Sequence, residues 1–207
     1  MKHEWRKHEK KIYLPKQKPV VVEAPAFKYF TIGGEGNPNS ELFTDRVEIL
    51  YALSYAVKMS PKKNMAPDGY FDYTVYPLEG IWDVNDEAKK KSDKQLDKNS
   101  LVYKIMIRQP EFVDDNFAQR IIEIVKEKKP YLDLSQVKFE QIEEGKCVQM
   151  LHVGSYDDEP ASFEQMKAFA EQNGFRRLSK NHKEIYLTDA RKVAPEKLKT
   201  VLRFEVE

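Results

Sequence analysis

The sequence predicts an α+β fold that is built from two similar halves. Each half runs strand, glycine turn, helix, strand, strand, and an offset of 121 residues superposes Ile32-Gly33 on Val153-Gly154. Two such halves predict a pseudo-twofold structure, with βαββ modules, antiparallel sheets, helices on one side and a ligand cleft between the halves. We expect a basic N-terminal arm over residues 1–20 and one domain over 21–207, with repeats at about 21–110 and 111–207.

Composition narrows the class of protein. The chain has 207 residues, of which 41% are hydrophobic and 33% are charged, with a net charge of +1. A charge balance of this kind gives no overall attraction to nucleic acid, so no direct nucleic-acid partner is expected. No apolar run is long enough for a membrane span. The single cysteine, Cys147, excludes an internal disulfide and no signal peptide is evident, so a cytoplasmic protein is expected.

The first half carries a strand that ends in a glycine-rich turn, and then a long amphipathic helix. Ser40 is the predicted N-cap of this helix. The predicted elements are a strand at 26–33, a helix at 41–59, a strand at 73–78, a charged mobile loop at 83–100 and a strand at 101–108. In the arm before them, Trp5, Ile12, Tyr13 and Leu14 are expected to pack a surface segment.

The second half repeats this order after a connecting helix. Gly174 is a typical residue to end its second helix. The predicted elements are helices at 112–129 and 159–173 and strands at 137–142, 147–153, 184–187 and 200–206.

The strand at 184–187 carries the side chains that point most directly to a function. Alternation along a strand places His182, Glu184 and Tyr186 on one face and Lys183, Ile185 and Leu187 on the other, where Ile185 and Leu187 supply the apolar side chains. On an open face Glu184 would be one more solvated charge. In an aromatic cavity it would instead be a desolvated base, or the counter-charge of a ligand.

Six motifs in order resemble the GyrI-like small-molecule-binding family. They are YPLEGIW at 76–82, MIRQP at 106–110, EGKCVQMLHVG at 144–154, YDDEP at 156–160, EIYLTD at 184–189 and APEKLKTVLR at 194–203. The resemblance covers the chain from about Val20 and implies a tandem pair of βαββ (SHS2) modules. It departs from the family at Lys183, where a second histidine is common, and at Asp83, where a second tryptophan is common. These departures predict a more polar rim to the pocket.

Among family members, the chain resembles the stand-alone cyclopropanoid cyclopropyl hydrolases, which open the strained ring of duocarmycin- and yatakemycin-type DNA alkylators. The resemblance places Glu184 in the cleft, where it would activate a water molecule. Tyr55 or Tyr103 would hold the water or donate to the substrate carbonyl. Trp82 and Tyr186, together with these tyrosines, would supply flat surfaces for a planar hydrophobic ligand.

Further ligand contacts are expected from residues that also have structural explanations. They are His152, His182, Tyr70, Phe71 and Met59. His152 shares a strand face with two core positions, and His182 could simply flank its strand. Met59 belongs to a helical stripe that is typical of a core, and Tyr55 lies in the same stripe. Tyr70 and Phe71 follow a proline-glycine turn and are candidates to gate the cleft. For Tyr103, core packing and cleft lining are equally compatible with the sequence.

The histidines and the cysteine are too scattered to predict a metal site, and no cofactor is expected. Cys147 is predicted to be a small buried residue and not a nucleophile. Two functions remain open: a detoxifying hydrolase that confers drug resistance, or a multidrug-binding module that senses or sequesters planar cationic drugs without turnover. Gyrase inhibition through protein contact rests on family analogy alone, and no protein partner is predicted.

Overall fold

The computed structural model describes residues 2–90 and 97–207. The fold is α+β, as the sequence predicted, with six α-helices and eight strands in the described residues. The helices are α1 (Trp5–His8), α2 (Lys10–Tyr13), α3 (Glu41–Lys58), α4 (Asp86–Lys90), α5 (Asp115–Lys128) and α6 (Glu159–Gln172). The strands are β1 (Val20–Ala24), β2 (Phe27–Glu35), β3 (Leu78–Val84), β4 (Leu101–Gln109), β5 (Val137–Ile142), β6 (Gly145–Val153), β7 (His182–Tyr186) and β8 (Lys199–Glu205).

The chain forms two compact units, and the first contains β2, α3, β4, α5 and β5. It comprises Met1–His3, Phe27–Tyr76 and Trp82–Ile142. Its strands follow the order β3-β4-β2-β5, with β2 antiparallel to both of its neighbours. Phe30 lies opposite Ile107 on one side and Phe139 on the other. Helix α3 packs on β2, β4 and α5, which buries Leu50 and Leu53 completely.

The second unit contains β1, β6, α6, β7 and β8, and it comprises Glu4–Ala26, Pro77–Ile81 and Glu143–Glu207. Its strands follow the order β1-β6-β8-β7-β3. Strand β8 is antiparallel to both β6 and β7. Helix α6 covers a core made of Val148, Met150, Met166, Ala170, Leu202, Phe204 and Val206. This packing determines where the first turn of α6 lies relative to β6 and β8.

The helix boundaries largely follow the predicted caps. Ser40 Oγ accepts the N–H of Phe43 at 3.2 Å and begins α3 as predicted. The connecting helix starts three residues later than predicted, because Asp114 provides the cap and accepts the N–H of Phe117 at 2.7 Å. Gly174, with φ at 73°, follows the end of α6.

The predicted strand at 73–78 is wrong, since β3 starts only at Leu78. Pro77 has no N–H to donate to a ladder and restricts the residue before it, so regular pairing begins after it. Tyr73 forms only an isolated bridge with His3. The predicted loop at 83–100 is also wrong in part. It contains the end of β3, helix α4 and a 3₁₀ turn at Lys98–Ser100, while residues 91–96 lie outside the described residues.

The N-terminal segment packs through its aromatic residues. Trp5 and Tyr13 are buried, with ring centroids 5.2 Å apart, as the sequence predicted. The segment is also fixed by side chains from the sheet of the same unit. Arg203 donates to the carbonyl oxygen of Ile12 at 2.7 Å, and Gln149 donates to that of Lys11 at 2.7 Å.

Candidate functional site

Glu184 is buried near the middle of β7, where it accepts hydrogen bonds from both of its neighbours on the same strand face. The residue is only 8% exposed. His182 Nε2 lies 3.0 Å from Oε1, and the Tyr186 hydroxyl donates to Oε2 at 2.7 Å. The alternation that the sequence predicted is therefore confirmed, and each oxygen of the carboxylate has a partner that fixes its direction.

A second carboxyl group approaches Glu184 from the first residue of α6. Glu159 is 6% exposed, and one of its carboxyl oxygens lies within 4.8 Å of a carboxyl oxygen of Glu184. Its Oε1 is buried and has no hydrogen-bond partner among the described residues. Burial, followed by the charge of Glu184, raises the pKa of Glu159 from 4.5 to about 10. Glu159 is thus protonated at neutral pH and can donate to its neighbour.

Sequence reasoning did not single out Glu159, although it lies in the YDDEP motif. An acidic residue in the first turn of a helix is usually explained by its favourable interaction with the helix dipole, so its position gives no reason to expect a role in a site. The available signal was that Glu159 and Ser162 lie three residues apart, and so place two polar groups on the inward face of α6.

Two further aromatic rings pack against the hydrogen-bond partners of Glu184. The ring of Phe163 meets that of His182 edge-on, with centroids 4.6 Å apart, and Tyr156 meets Tyr186 edge-on at 6.1 Å. Burial, and then the charges of Glu184 and Glu159, raise the pKa of Tyr156 to about 12. Neither Phe163 nor Tyr156 was predicted as a site residue. Together these rings lower the polarity around the Glu184 carboxylate.

His152, a predicted ligand contact, is engaged within the protein. It is 5% exposed, with Nδ1 2.9 Å from Ser162 Oγ and Nε2 3.0 Å from the carbonyl oxygen of Ser155. These bonds tie the end of β6 to the first turns of α6. A ligand would have to break one of them to reach a ring nitrogen.

Lys183 lies on the face of β7 opposite Glu184, as the alternation predicted. The expectation that Lys183 makes the rim around Glu184 more polar is therefore wrong. It is 4% exposed, and its Nζ lies 2.9 Å from Glu79 and 2.7 Å from Glu144. Arg203 also contacts Glu144, at 3.1 Å. Burial opposes the charge of Lys183, but the two carboxylates outweigh it and raise the lysine pKa. We call Lys183, Glu79, Glu144 and Arg203 the buried ion network.

A small cavity lies beside this network in the second unit. Its volume is about 50 Å³, and its lining includes His182, Lys183 and Arg203. This space suits a few water molecules and is too small for a planar drug.

The first unit brings together two other predicted site residues, Trp82 and Tyr103. Their ring centroids are 5.3 Å apart, and Phe43 packs against both, at 5.9 and 5.0 Å. The guanidinium of Arg46 donates to the Tyr103 hydroxyl. Tyr55, the third predicted catalytic residue, is 52% exposed and lies beside Tyr51 on α3.

The predicted gating residues Tyr70 and Phe71 pack in the first unit around Phe112. Their ring centroids lie 5.1 and 5.2 Å from that ring, and the Tyr70 hydroxyl donates to the carbonyl oxygen of Lys58 at 2.8 Å. Met59 forms the C-cap of α3 and is half-buried. These contacts hold the segment after α3 against the residues that precede α5.

Among the described residues, the fold brings together one candidate metal-binding group. The sequence had predicted no metal site. Glu159, His182 and Glu184 offer ligand atoms that all lie within 4.8 Å of one another. The sequence spacing of the histidines gave no sign of it, because Glu159 comes from a different element. Since Glu159 is protonated and both oxygens of Glu184 already have partners, a cation would first have to displace a proton.

Comparison with known proteins agrees with this architecture. Residues 17–207 match the model of the GyrI-like small molecule binding domain. The chain belongs to this family. No protein with a curated description matched the chain. Among its described residues, the GyrI-like chain has no helix of the length and apolar character needed to cross a bilayer.

Solved structures resemble this GyrI-like chain over its full length. Two are described as hydrolases from Listeria innocua, at 36% and 38% identity, with TM-scores of 0.90 and 0.91. They cover 99% and 100% of this chain and 100% of their own. A third, described as an uncharacterized conserved protein from the same organism, is 38% identical with a TM-score of 0.90, and covers 99% of this chain and 100% of its own.

Cys147 is buried, as predicted. Burial raises the pKa of its thiol to about 12, with a further contribution from the charge of Glu144. A thiol of this kind is protonated at neutral pH and a poor nucleophile.

Proposed function

We propose that the protein is a hydrolase that opens the cyclopropane ring of planar aromatic genotoxins of the duocarmycin and yatakemycin type, and so protects against them. The observation that carries the proposal is the buried Glu184 carboxylate, which His182 and Tyr186 orient. The two Listeria innocua structures described as hydrolases support the reaction class, because their likeness extends over the whole chain.

Glu184 is the proposed general base. A carboxylate among aromatic rings has lost part of its hydration, and the fixed direction of its oxygens favours removal of a proton from one bound water. The water oxygen forms a bond to the cyclopropane methylene as the ring C–C bond breaks. The released electron pair passes to the conjugated carbonyl, which becomes a phenol once it receives a proton. Water is thus added across the bond, and no redox partner is required.

The developing negative charge on the carbonyl oxygen calls for a hydrogen-bond donor. The family resemblance predicts Tyr55 and Tyr103 in this role. Because Arg46 donates to the Tyr103 hydroxyl, the hydrogen of that hydroxyl remains available for another acceptor. In the second unit, Tyr156 contributes a further hydroxyl that stays protonated at neutral pH.

A second candidate function is binding without turnover, in which Glu184 is the counter-charge of a planar cationic drug. The observation that favours it is the same carboxylate beside the rings of Tyr186 and Tyr156, since aromatic faces and a carboxylate both attract organic cations. On this alternative the protein would sequester or sense its ligand.

Mass spectrometry of a duocarmycin-type substrate incubated with the purified protein separates the two functions. We expect many molecules of ring-opened, water-added product per chain. Disappearance of only one equivalent of drug, with the intact drug recovered after denaturation, would favour sequestration. The variant Glu184→Gln removes the proposed base. Its matched control is Glu164→Gln, which makes the same change at an exposed position of α6.

A further inference from the structure

One tyrosine of the first unit carries a hydrogen-bond donor that its surroundings do not use. Tyr103 is 3% exposed, and its hydroxyl oxygen accepts a hydrogen bond from the guanidinium of Arg46. Among the described residues, the hydrogen of that hydroxyl has no acceptor. The hydroxyl of Tyr73, which is also buried in this unit, instead donates to the carbonyl oxygen of Ser54 at 3.5 Å. A buried phenol normally has an acceptor, so the donor of Tyr103 is available to a ligand.

The charge beside this donor has no counter-charge in contact with it. Arg46 is half-buried on α3, and it forms no ion pair with a carboxylate among the described residues. Its guanidinium carbon lies 5.5 Å from the centre of the Tyr103 ring. A positive charge next to an O–H donor favours a negatively charged oxygen, because the charge and the hydrogen bond both stabilise it.

Gly34 provides the space for this pair of side chains. It lies in β2, directly opposite Tyr103 in β4. A Cβ atom at Gly34 would overlap the guanidinium of Arg46 and would lie 2.8 Å from the hydroxyl oxygen of Tyr103. A Cβ atom at the neighbouring Gly33 would meet only a carbonyl oxygen, at an ordinary contact distance of 3.9 Å. Gly34 is therefore the residue that allows the guanidinium to reach Tyr103.

Two aromatic rings make the surroundings of the pair apolar. The ring centroids of Trp82 and Phe43 lie 5.3 and 5.0 Å from that of Tyr103. A hydrogen bond to a charged oxygen is stronger where the surroundings are less polar than water. The ligand that matches this chemistry is a flat aromatic molecule with an oxygen that can carry negative charge.

We propose that Tyr103 and Arg46 form an oxyanion-binding pair for planar aromatic ligands. This proposal rests on the proposed function, in which negative charge passes to the substrate carbonyl as the cyclopropane opens. Tyr103 donates to that oxygen. Arg46 is a positioning residue, because it occupies the other side of the Tyr103 hydroxyl and so directs the hydrogen to the ligand. Gly34 keeps the place of the guanidinium open.

Binding of resorufin tests the pair without any turnover. Resorufin is a planar aromatic anion at neutral pH, and methoxyresorufin is a neutral ether of nearly the same shape. In equilibrium dialysis we expect the wild-type protein to bind resorufin about tenfold more tightly than the ether. Arg46→Met should remove this preference, whereas Arg120→Met, at an exposed arginine of α5, should keep it. A wild-type protein that binds both dyes equally, or that does not bind resorufin, would overturn the proposal.

The two neighbouring glycines give a matched pair of variants that leave the arginine in place. Neither has a positive φ, so alanine suits the backbone at both positions. Gly34→Ala should displace the guanidinium and abolish the preference for resorufin, and Gly33→Ala should retain it. A full preference in Gly34→Ala would show that the guanidinium does not need to approach Tyr103.

Kinetics with a duocarmycin-type substrate test the positioning role. Because the negative charge develops only in the transition state, Arg46→Met should lower kcat by about tenfold and change KM little. Arg46→Lys keeps a charged donor and should recover part of the loss. A wild-type kcat in Arg46→Met would contradict the role of this arginine. If the wild-type protein showed no turnover, the proposed function would fail, while the resorufin result would still decide whether the pair binds an oxyanion.

Discussion

At the scale of single residues, the proposed function depends on how a short strand presents one carboxylate. The alternation in β7 sends Glu184 towards α6 and Lys183 towards the buried ion network, so neighbouring residues with opposite charges do not neutralise each other. The hydrogen-bond partners of the carboxylate are His182, two residues before it, and Tyr186, two residues after it. This arrangement needs only a regular strand, which explains why it could be inferred from sequence.

Replacing Tyr186 with phenylalanine tests the contribution of one donor to Glu184. Loss of the 2.7 Å hydrogen bond removes the donor that fixes the direction of one oxygen of the Glu184 carboxylate. We expect kcat to fall by about tenfold, because the proposed base is then less well oriented towards the water. Tyr131→Phe, at a residue that is 69% exposed, is the matched control. A wild-type kcat in Tyr186→Phe would show that the hydroxyl does not orient the base.

At the scale of elements, α6 and β7 form the site because a helix is docked on a sheet with its first turn over Glu184. The apolar side chains of Met166 and Ala170 pack on the sheet, and Glu159 and Ser162 continue the same face towards the N-terminus. Packing of the apolar part therefore determines where the polar part lies. This packing also buries the carboxyl group of Glu159, which is stable there only in its neutral form, and the need to keep it neutral is an energetic cost at high pH.

That cost predicts a dependence of stability on pH. The pKa of Glu159 is raised from 4.5 to about 10 in the folded state, so the folded protein binds more protons than the unfolded chain between these values. Its contribution to the free energy of unfolding is therefore complete below pH 4.5 and declines as the pH rises towards 10. Glu159→Gln needs no proton and should increase the free energy of unfolding at pH 7 by about 1–3 kcal/mol.

Urea denaturation of Glu159→Gln and of the wild type from pH 5 to pH 9 measures this effect. The gain should be small at pH 5 and grow with pH. Glu164→Gln, at an exposed residue of α6, should show no such trend. A gain that did not depend on pH would contradict the assigned protonation of Glu159.

The buried ion network is the corresponding feature on the other face of β7. Lys183 balances Glu79 and Glu144, and Arg203 joins Glu144 to the carbonyl oxygen of Ile12 in the N-terminal segment. Burial opposes the ionisation of Glu144, but Lys183 and Arg203 outweigh it and lower its pKa. The network therefore contributes to stability above the unfolded pKa of the carboxyl, and this contribution is lost on acidification.

Removal of Lys183 should be strongly destabilising. Lys183→Ala leaves two buried carboxylates without their shared cation, and we expect a loss of about 3–5 kcal/mol in the free energy of unfolding. Lys197→Ala, at an exposed lysine, should stay within about 0.5 kcal/mol of the wild type. A loss in Lys183→Ala no larger than that of the control would mean that the network contributes little.

At the scale of the whole molecule, the sequence predicted the α+β class and most elements, because their signals are local. Periodicity and the Ser40 cap predicted α3, and alternation predicted the face that Glu184 occupies. The error at 73–78 came from apolar residues that pack as individual aromatic rings before Pro77 and do not form a ladder.

The rest of the site was not predictable, because tertiary contacts create it. Nothing near Glu159 in the sequence indicates that its carboxyl meets Glu184 25 positions later, since only the docking of α6 brings them together. The expectation that Lys183 makes the pocket rim more polar was wrong for the same reason, because its partner Glu79 lies far away in the sequence.

Protection of cells is the consequence expected at this scale. Bacteria that express the wild-type chain should tolerate a higher concentration of a duocarmycin-type drug than cells that express Glu184→Gln at the same level. Equal tolerance of both strains above an empty-vector control would favour sequestration, since that function does not require a proton acceptor.

The central claim is that Glu184 removes a proton from water, and the turnover number of Glu184→Gln tests it most directly. The amide keeps nearly the same size but cannot accept that proton, so kcat for cyclopropane opening should fall by about 10²–10⁴-fold. Substrate binding should change much less, and Glu164→Gln should match the wild type. A Glu184→Gln protein that is folded and retains the wild-type kcat would contradict the account.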